Sequence, residues 1–257
     1  MCELFGICAA EKLRANEYLD AFYHHSFEHK HGWGLAVFHG SGVTLEKEPV
    51  RAVDSGYLRN RLSREVLASN LLAHIRLATI GRIEYANCHP FVYDDDSGRT
   101  WTMIHNGTMF ESGDLSKYLP SQEGTTDSER ILMFIVDCVN QEYAKSGAPL
   151  SAEDRFSLID RITIRLSRGN KLNMLLYDGE YMYAHTNCPD GLYLQENPGR
   201  ILVATKPLLE EGWRKFPENQ LHVYKSGAPA FAGTIHENTF HEEDYDMTPL
   251  LSAYAEL

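Results

Sequence analysis

A cysteine occupies the second position of the chain, where removal of Met1 would leave it with a free α-amine. Such a terminal cysteine carries a nucleophile and a base on one carbon, since an unperturbed α-amine has a pKa of about 7.7 to 8.0. In the alternative interpretation, Cys2 is an ordinary small apolar residue of the first strand. Its position alone leaves both interpretations open.

Two charged residues stand where a polar ligand could use them. Arg76 interrupts the apolar stretch "HIRLAT", and Asp127 follows Thr126 at the start of a predicted helix. The arginine either reaches the surface or a carboxylate of the protein, or it binds a substrate carboxylate through its planar two-pronged group. The aspartate either stabilises the helix N-terminus or holds a substrate ammonium group.

The stretch "HNG" at 105–107 also has two interpretations. Asn-Gly between apolar runs is the leading signal for a hairpin turn. The same pair would form an oxyanion hole if the Asn106 side-chain amide and the Gly107 N–H pointed at a developing negative charge.

Four histidines lie between residues 24 and 31, and His25 and His29 have the i, i+4 spacing of metal ligands on a helix. No Glu or Cys at a matching spacing completes a ligand set. We therefore interpret the segment as a solvated helix end and predict neither a metal nor a cofactor.

The elements that would position these residues are predicted to be both strands and helices. Short apolar runs predict strands at 2–10, 32–40, 68–79 and 100–106, and an amphipathic helix is predicted at 15–29. A helix from 125 to 147 begins with the capping-box pattern Thr126 to Glu129, and a second helix covers 151–168. Four further strands follow. The order predicts an α+β fold with helices layered on antiparallel sheets.

Composition limits the classes of function. The 257 residues, 43% of them hydrophobic, fit one domain spanning 1–257. No secretory signal is apparent, and the longest apolar run is far below the roughly 20 residues of a spanning helix, so a cytoplasmic protein without a membrane partner is expected. The net charge of −12 argues against nucleic acid as a partner. The acidic stretch 241–247 is interpreted as a solvated tail or as a contact of a homo-oligomer.

In order and spacing, Cys2 with "HGWG", "HIRLAT", "NCHPF", "HNG" and "TTDSE" resembles the glutaminase domain of class II, or N-terminal nucleophile, glutamine amidotransferases. The resemblance extends over about residues 2–240 and is greatest to the stand-alone YafJ-like type. It implies a four-layer αββα sandwich, the Ntn hydrolase fold, in which two antiparallel sheets lie between layers of helices.

The resemblance also implies a role for each matched residue. Cys2, once Met1 is removed, is the nucleophile, and Asn106 with Gly107 is the oxyanion hole. Arg76 pairs with the α-carboxylate of glutamine and Asp127 with its α-ammonium group.

Five further residues match supporting positions of the family. Thr79 and His89 correspond to positions near the substrate, and His105 would orient the oxyanion pair. Trp33 and Gly34 correspond to a structural turn facing the site, with a packing role.

The chain departs from ammonia-channelling synthases in two respects. Leu77 and Ile80 replace residues of the pattern Arg-Trp-Ala-Thr-His, and no acceptor domain follows the matched region. Two functions therefore stay open. The chain is either a glutaminase that passes ammonia to a separate synthase subunit, or a hydrolase of larger γ-glutamyl amides or peptides with water as acceptor.

Overall fold

The computed structural model describes residues 2–40, 42–78, 81–111, 113–209 and 211–245. The α-helices in these ranges are α1 (Asn16–His24), α2 (Gly56–Leu62), α3 (Asp127–Ser146) and α4 (Ala152–Ser167). The strands are β1 (Glu3–Arg14), β2 (Trp33–His39), β3 (Gly42–Glu48), β4 (Leu67–Ile75), β5 (Phe91–Asp94), β6 (Thr100–His105), β7 (Met174–Tyr177), β8 (Met182–His185), β9 (Tyr193–Asn197), β10 (Arg200–Ala204), β11 (Arg214–Lys215), β12 (His222–Lys225) and β13 (Ala228–Ala232).

The strands form two antiparallel sheets. The first has the order β11-β9-β10-β1-β4-β2-β3, and the second has the order β13-β12-β8-β7-β6-β5. Strand β1, from the start of the chain, is therefore central, between β10 and β4. This position brings the N-terminal end of the chain into the middle of the first sheet.

Alternation along β1 shows how the layers are built. Phe5 and Ile7 pack against α1 and α2, whereas Leu4 and Cys8 belong to a separate apolar cluster between the two sheets. A third cluster joins the second sheet to α3 and α4. The predicted α+β fold, an αββα sandwich, is thereby confirmed. No helix in the described ranges is long and apolar enough to cross a membrane.

Helix α3 begins and ends where the sequence predicts, but its capping differs in one detail. The Thr126 hydroxyl accepts a hydrogen bond from the Glu129 N–H at 3.3 Å, and Gly147 ends the helix with a φ of +69°. The Glu129 carboxylate accepts from the N–H groups of Glu123 and Gly124 and from the Tyr93 hydroxyl. This carboxylate therefore organises the loop before α3, in place of the reciprocal bond of a capping box.

Several elements were not predicted from the sequence. Strands β3, β5, β9, β11 and β13 and helix α2 are absent from the prediction, because they are short or largely polar and carry little periodic signal. Strand β4 ends at Ile75, one residue before Arg76.

Candidate active site

Cys2 and Arg76 are neighbours across two strands. Strands β1 and β4 pair so that Glu3 faces Ile75, and the next residue beyond each of them is Cys2 and Arg76, respectively. On its other side, the Arg76 N–H extends the pairing of β4 with β2 by donating to the Gly32 carbonyl at 2.8 Å. The sheet register thus places a thiol beside a guanidinium group although 73 residues lie between them in the chain.

The Cys2 thiol is half-buried and lies 3.5 Å from the carbonyl oxygen of Leu77, to which it donates. Burial raises the pKa of this thiol above its ordinary value; the Arg76 guanidinium opposes the rise and the Asp127 carboxylate adds to it. The thiol, the arginine and the aspartate are therefore close enough to interact electrostatically. A partner that accepts the thiol proton would be needed for thiolate chemistry near neutral pH.

The Arg76 side chain is 2% exposed and supports the loop that follows β4. Its guanidinium donates to the carbonyls of Arg82 at 2.8 Å and Gly81 at 3.2 Å. Burial lowers the pKa of Arg76, while Asp127 is among the groups whose charge opposes that change. The guanidinium remains a fixed positive charge, since an arginine is not deprotonated in proteins.

Asp127 is the first residue of α3 and is 5% exposed. Its Oδ2 accepts from the Met109 N–H at 2.8 Å, and its Oδ1 accepts from the Ser128 N–H at 2.9 Å. These bonds fix the carboxylate at the helix N-terminus, where the helix dipole favours a negative charge.

Asn106 and Gly107 continue the pairing of β6 with the segment before β7. The Asn106 N–H donates to the Asn173 carbonyl at 2.8 Å, and the Thr108 N–H donates to the Lys171 carbonyl at 3.1 Å. A Cβ on Gly107 would collide with the Lys171 carbonyl and with His105 Nε2. The pair is an extended segment and not a hairpin turn, and Gly107 is required by this close approach.

The two donors that would form an oxyanion hole are not engaged by other described groups of the protein. Among the described residues, the Asn106 side-chain amide and the Gly107 N–H have no hydrogen-bond partner. The Asn106 residue is nevertheless 5% exposed. Gly107 is half-buried, and since neither donor has a partner among the described residues, both are suited to bind a ligand oxygen.

Two histidines connect these parts. His74, on β4, donates from Nε2 to the His105 carbonyl at 3.3 Å and so joins the first sheet to the end of β6. His105 donates from Nε2 to the Lys171 carbonyl at 3.3 Å, which leaves its Nδ1 to accept from the Ser128 hydroxyl at 2.9 Å. Burial lowers the pKa of His105, which fits this neutral form. These bonds link strand β4, which precedes Arg76, to the end of β6 before Asn106 and to the first turn of α3.

Comparison with known proteins identifies the family. A family model described as "Glutamine amidotransferases class-II" matches residues 1–198. The chain belongs to the class-II glutamine amidotransferases. It is 30% identical over 260 residues to an uncharacterized protein of Methanocaldococcus jannaschii, covering 88% of this chain and 70% of that one. It is 31% identical over 225 residues to the protein YafJ of Escherichia coli, covering 77% of this chain and 86% of that one.

Solved structures agree in fold. The crystal structure of a predicted glutamine amidotransferase from Pseudomonas aeruginosa has a TM-score of 0.62 at 19% identity, covering 89% of this chain and 99% of that one. Glutamine phosphoribosylpyrophosphate amidotransferase from B. subtilis has a TM-score of 0.66 at 18% identity, covering 93% of this chain and 50% of that one. At these identities the likeness shows the shared fold.

The structure places His89 of this class-II amidotransferase in a buried stack. Its ring lies 4.0 Å from that of His74 and 4.7 Å from that of Phe91, measured between centroids. Both His89 ring nitrogens are buried and have no partner among the described residues, and burial holds the pKa of His89 well below its usual range. His89 is therefore a neutral group beside His74, and a contact with substrate stays a prediction. Thr79 lies outside the described residues.

Trp33 and Gly34 begin strand β2 and do not form a turn. The Trp33 indole is fully buried in the cluster under α1 and donates to Glu48 at 3.1 Å. A Cβ on Gly34 would collide with the His89 carbonyl. Both residues pack tightly against their neighbours, and Trp33 faces the helical layer.

The histidine-rich segment is a solvated helix end only in part, since His24, the last residue of α1, is exposed. His25 Nδ1 lies 2.8 Å from the buried Glu3 carboxylate, and His29 is 5% exposed. His31 Nδ1 accepts from the Ala78 N–H at 2.9 Å. The described residues contain no cluster of three or more side chains suited to hold a metal ion. The segment instead packs behind β1 and beside the loop that carries Arg76.

Sequence reasoning missed the asparagines that brace the site. Asn87 is fully buried, donates to the Arg82 carbonyl at 2.9 Å and accepts from the Thr125 N–H at 2.6 Å. Asn173 contacts Asn106. Asn87 opens the matched stretch "NCHPF", but no role was assigned to it, and Asn173 stands beside an apolar run, which is too common a signal to single it out.

Proposed function

We propose that this chain hydrolyses the γ-amide of glutamine through a covalent intermediate on Cys2. The observation that carries the proposal is the β1–β4 register, which sets Cys2 beside Arg76, with Asp127 close enough to influence the pKa of the thiol. A nucleophile between a fixed positive and a fixed negative charge suits an amino-acid substrate. The two charges hold its α-carboxylate and α-ammonium groups, and its side chain carries the carbonyl that the nucleophile attacks. The proposed enzyme is a single-domain cytoplasmic protein that requires neither metal nor cofactor.

The charges account for recognition of the glutamyl group. The Arg76 fork binds the α-carboxylate, and the Asp127 carboxylate binds the α-ammonium group. Thr79 and His89 are assigned to the surroundings of the substrate. Because these contacts involve the amino-acid end, they are the same for every γ-glutamyl compound.

The chemistry follows from a thiol and an amine on one residue. With Met1 removed, the α-amine of Cys2 takes the thiol proton while sulfur attacks the γ-carbon. Asn106 and Gly107 stabilise the oxyanion of the tetrahedral intermediate. The C–N bond breaks as the amine returns the proton to the leaving nitrogen, which departs as ammonia. Water then attacks the thioester, releasing glutamate and restoring the thiol.

The test uses protein whose N-terminus has been established by intact mass. Protein lacking Met1 is expected to release ammonia from glutamine and to be labelled at Cys2 by a diazo-ketone analogue of glutamine. Cys2→Ala is expected to do neither, and Cys138→Ala, at a half-buried thiol of α3, is the matched control. Processed wild-type protein that neither turns over a γ-glutamyl amide nor is labelled at Cys2 would overturn the proposal.

A substrate panel distinguishes glutamine from larger compounds. We expect glutamine to be turned over at least as fast as γ-glutamyl peptides and amines. Much faster turnover of a conjugate would instead assign the chain to γ-glutamyl amide or peptide hydrolysis. Co-purification of a synthase that accepts the ammonia would identify the separate partner subunit.

A further inference from the structure

The peptide unit between Asn106 and Gly107 is held from one side. The N–H groups of Asn106 and Thr108 both donate toward the segment Lys171–Asn173. Along an extended strand, successive N–H groups point to alternate sides. The Gly107 N–H therefore points away from that segment, toward the side on which it has no partner among the described residues.

The Asn173 side chain fixes the other end of the same peptide unit. Its Nδ2 donates to the Asn106 carbonyl oxygen at 2.9 Å. In a trans peptide the carbonyl and the following N–H point in opposite directions, so this bond sets the direction of the Gly107 N–H. A hydrogen bond to the carbonyl also polarises the amide and strengthens its N–H as a donor.

Thr186 fixes the Asn173 amide in turn. The Thr186 hydroxyl donates to Asn173 Oδ1 at 2.6 Å, which determines that Nδ2 faces Asn106. The Thr186 oxygen also accepts from the Cys188 N–H at 3.3 Å. Asn173 and Thr186 are each 1% exposed or less, and a Cβ on Gly191 would collide with Thr186 Oγ1. The Asn173 and Thr186 side chains are thus enclosed by their neighbours, which restricts their rotation.

We propose that Asn173, held by Thr186, is a positioning residue that aims the Gly107 N–H at the oxyanion. The inference rests on the proposed function, because it needs an intermediate with a negative oxygen. Among the described residues, neither side chain hydrogen-bonds to Arg76 or Asp127, so we expect neither to determine how the glutamyl end binds. We expect the two side chains to stabilise the transition state and not to strengthen substrate binding.

The experiment compares Thr186→Val with Thr186→Ser in processed protein. Valine keeps the shape of threonine without the hydroxyl, whereas serine keeps the hydroxyl. We expect kcat with glutamine to fall about 10-fold in Thr186→Val, a fraction of the loss when an oxyanion donor is removed outright. The KM for glutamine and the Kd for glutamate are expected to stay within about 2-fold, and Thr186→Ser is expected to recover most of kcat.

Asn173→Asp, which removes the donor to Asn106, is expected to lower kcat further with the same unchanged Kd for glutamate. If this variant does not fold, as judged by its melting transition, the comparison of Thr186→Val with Thr186→Ser tests the inference by itself. Equal kcat in folded Thr186→Val and wild type, or equal losses in the Val and Ser variants, would overturn the inference and leave the proposed function intact. Wild-type protein inactive on all γ-glutamyl amides would overturn both.

Discussion

Asn87 and Thr125 share two hydrogen bonds, one from the Thr125 N–H to Asn87 Oδ1 at 2.6 Å and one from Asn87 Nδ2 to Thr125 Oγ1 at 2.9 Å. The same Nδ2 donates to the Arg82 carbonyl, which also accepts from Arg76. The loop that surrounds Arg76 and the residues before α3 are consequently one structural unit. The distance between the groups proposed to bind carboxylate and ammonium depends on that unit.

Replacing Asn87 with Ala should therefore loosen both ends of the glutamyl site. We expect the free energy of unfolding to fall by about 2 to 3 kcal/mol, because the Thr125 N–H loses its buried partner. The KM for glutamine should rise more than kcat falls. Urea unfolding and steady-state kinetics measure the two effects, with Asn60→Ala on the exposed surface of α2 as the control. An unchanged KM would show that the loop does not position Arg76.

Arg76→Lys keeps the positive charge but removes the two-pronged donor. We expect the KM for glutamine to rise about 10- to 30-fold, equivalent to roughly 1.5 to 2 kcal/mol of lost charge-assisted hydrogen bonding. The ratio should be the same for any γ-glutamyl substrate, since the α-carboxylate is common to all. Arg59→Lys, on the exposed face of α2, provides the control. A wild-type KM would mean that the carboxylate is bound elsewhere.

Gly107→Ala places a methyl group against the Lys171 carbonyl and His105. The strand must move to relieve the collision, and the proposed oxyanion donors move with it. We expect kcat to fall about 100-fold or more, the scale of losing one oxyanion donor. Gly56→Ala, at a position where an added Cβ meets no atom within 4 Å, should leave kcat unchanged. Comparable activity in the two variants would contradict the assignment.

The burial of His185 predicts how the free energy of unfolding depends on pH. Burial lowers its pKa to about 3, and the neighbouring His236 adds to this effect. Between the ordinary value near 6.5 and about 3, the unfolded chain binds a proton that the native state does not. The free energy of unfolding should therefore decrease as pH falls through this range, by up to about 1.4 kcal/mol per pH unit for this histidine.

Urea unfolding of His185→Gln from pH 7 to pH 4 tests this dependence. The variant should lose less stability on acidification than the wild type does. His39→Gln, at the exposed end of β2, is the control and should follow the wild-type slope. Identical slopes for the two variants would show that the pKa of His185 is not lowered in the native state.

The sequence by itself determined the features that depend on local chemistry. Helix α3 follows from its capping threonine, its apolar periodicity and its terminal glycine, and β1 follows from a short apolar run. The residues proposed for the site were singled out by type and by their order along the chain. The αββα arrangement came from resemblance to a family, because the order of strands in a sheet is not contained in local periodicity.

The tertiary structure decided which of those residues meet. Cys2 lies beside Arg76 only because β1 pairs with β4, and the end of β6, which leads into Asn106 and Gly107, is joined to β4 through His74. It also decided that Glu129 bonds the preceding loop, that His29 and His31 are buried, and that Asn173 holds Asn106. Each of these outcomes depends on contacts between segments distant in sequence. Such contacts are set by packing and register, which local propensities do not encode.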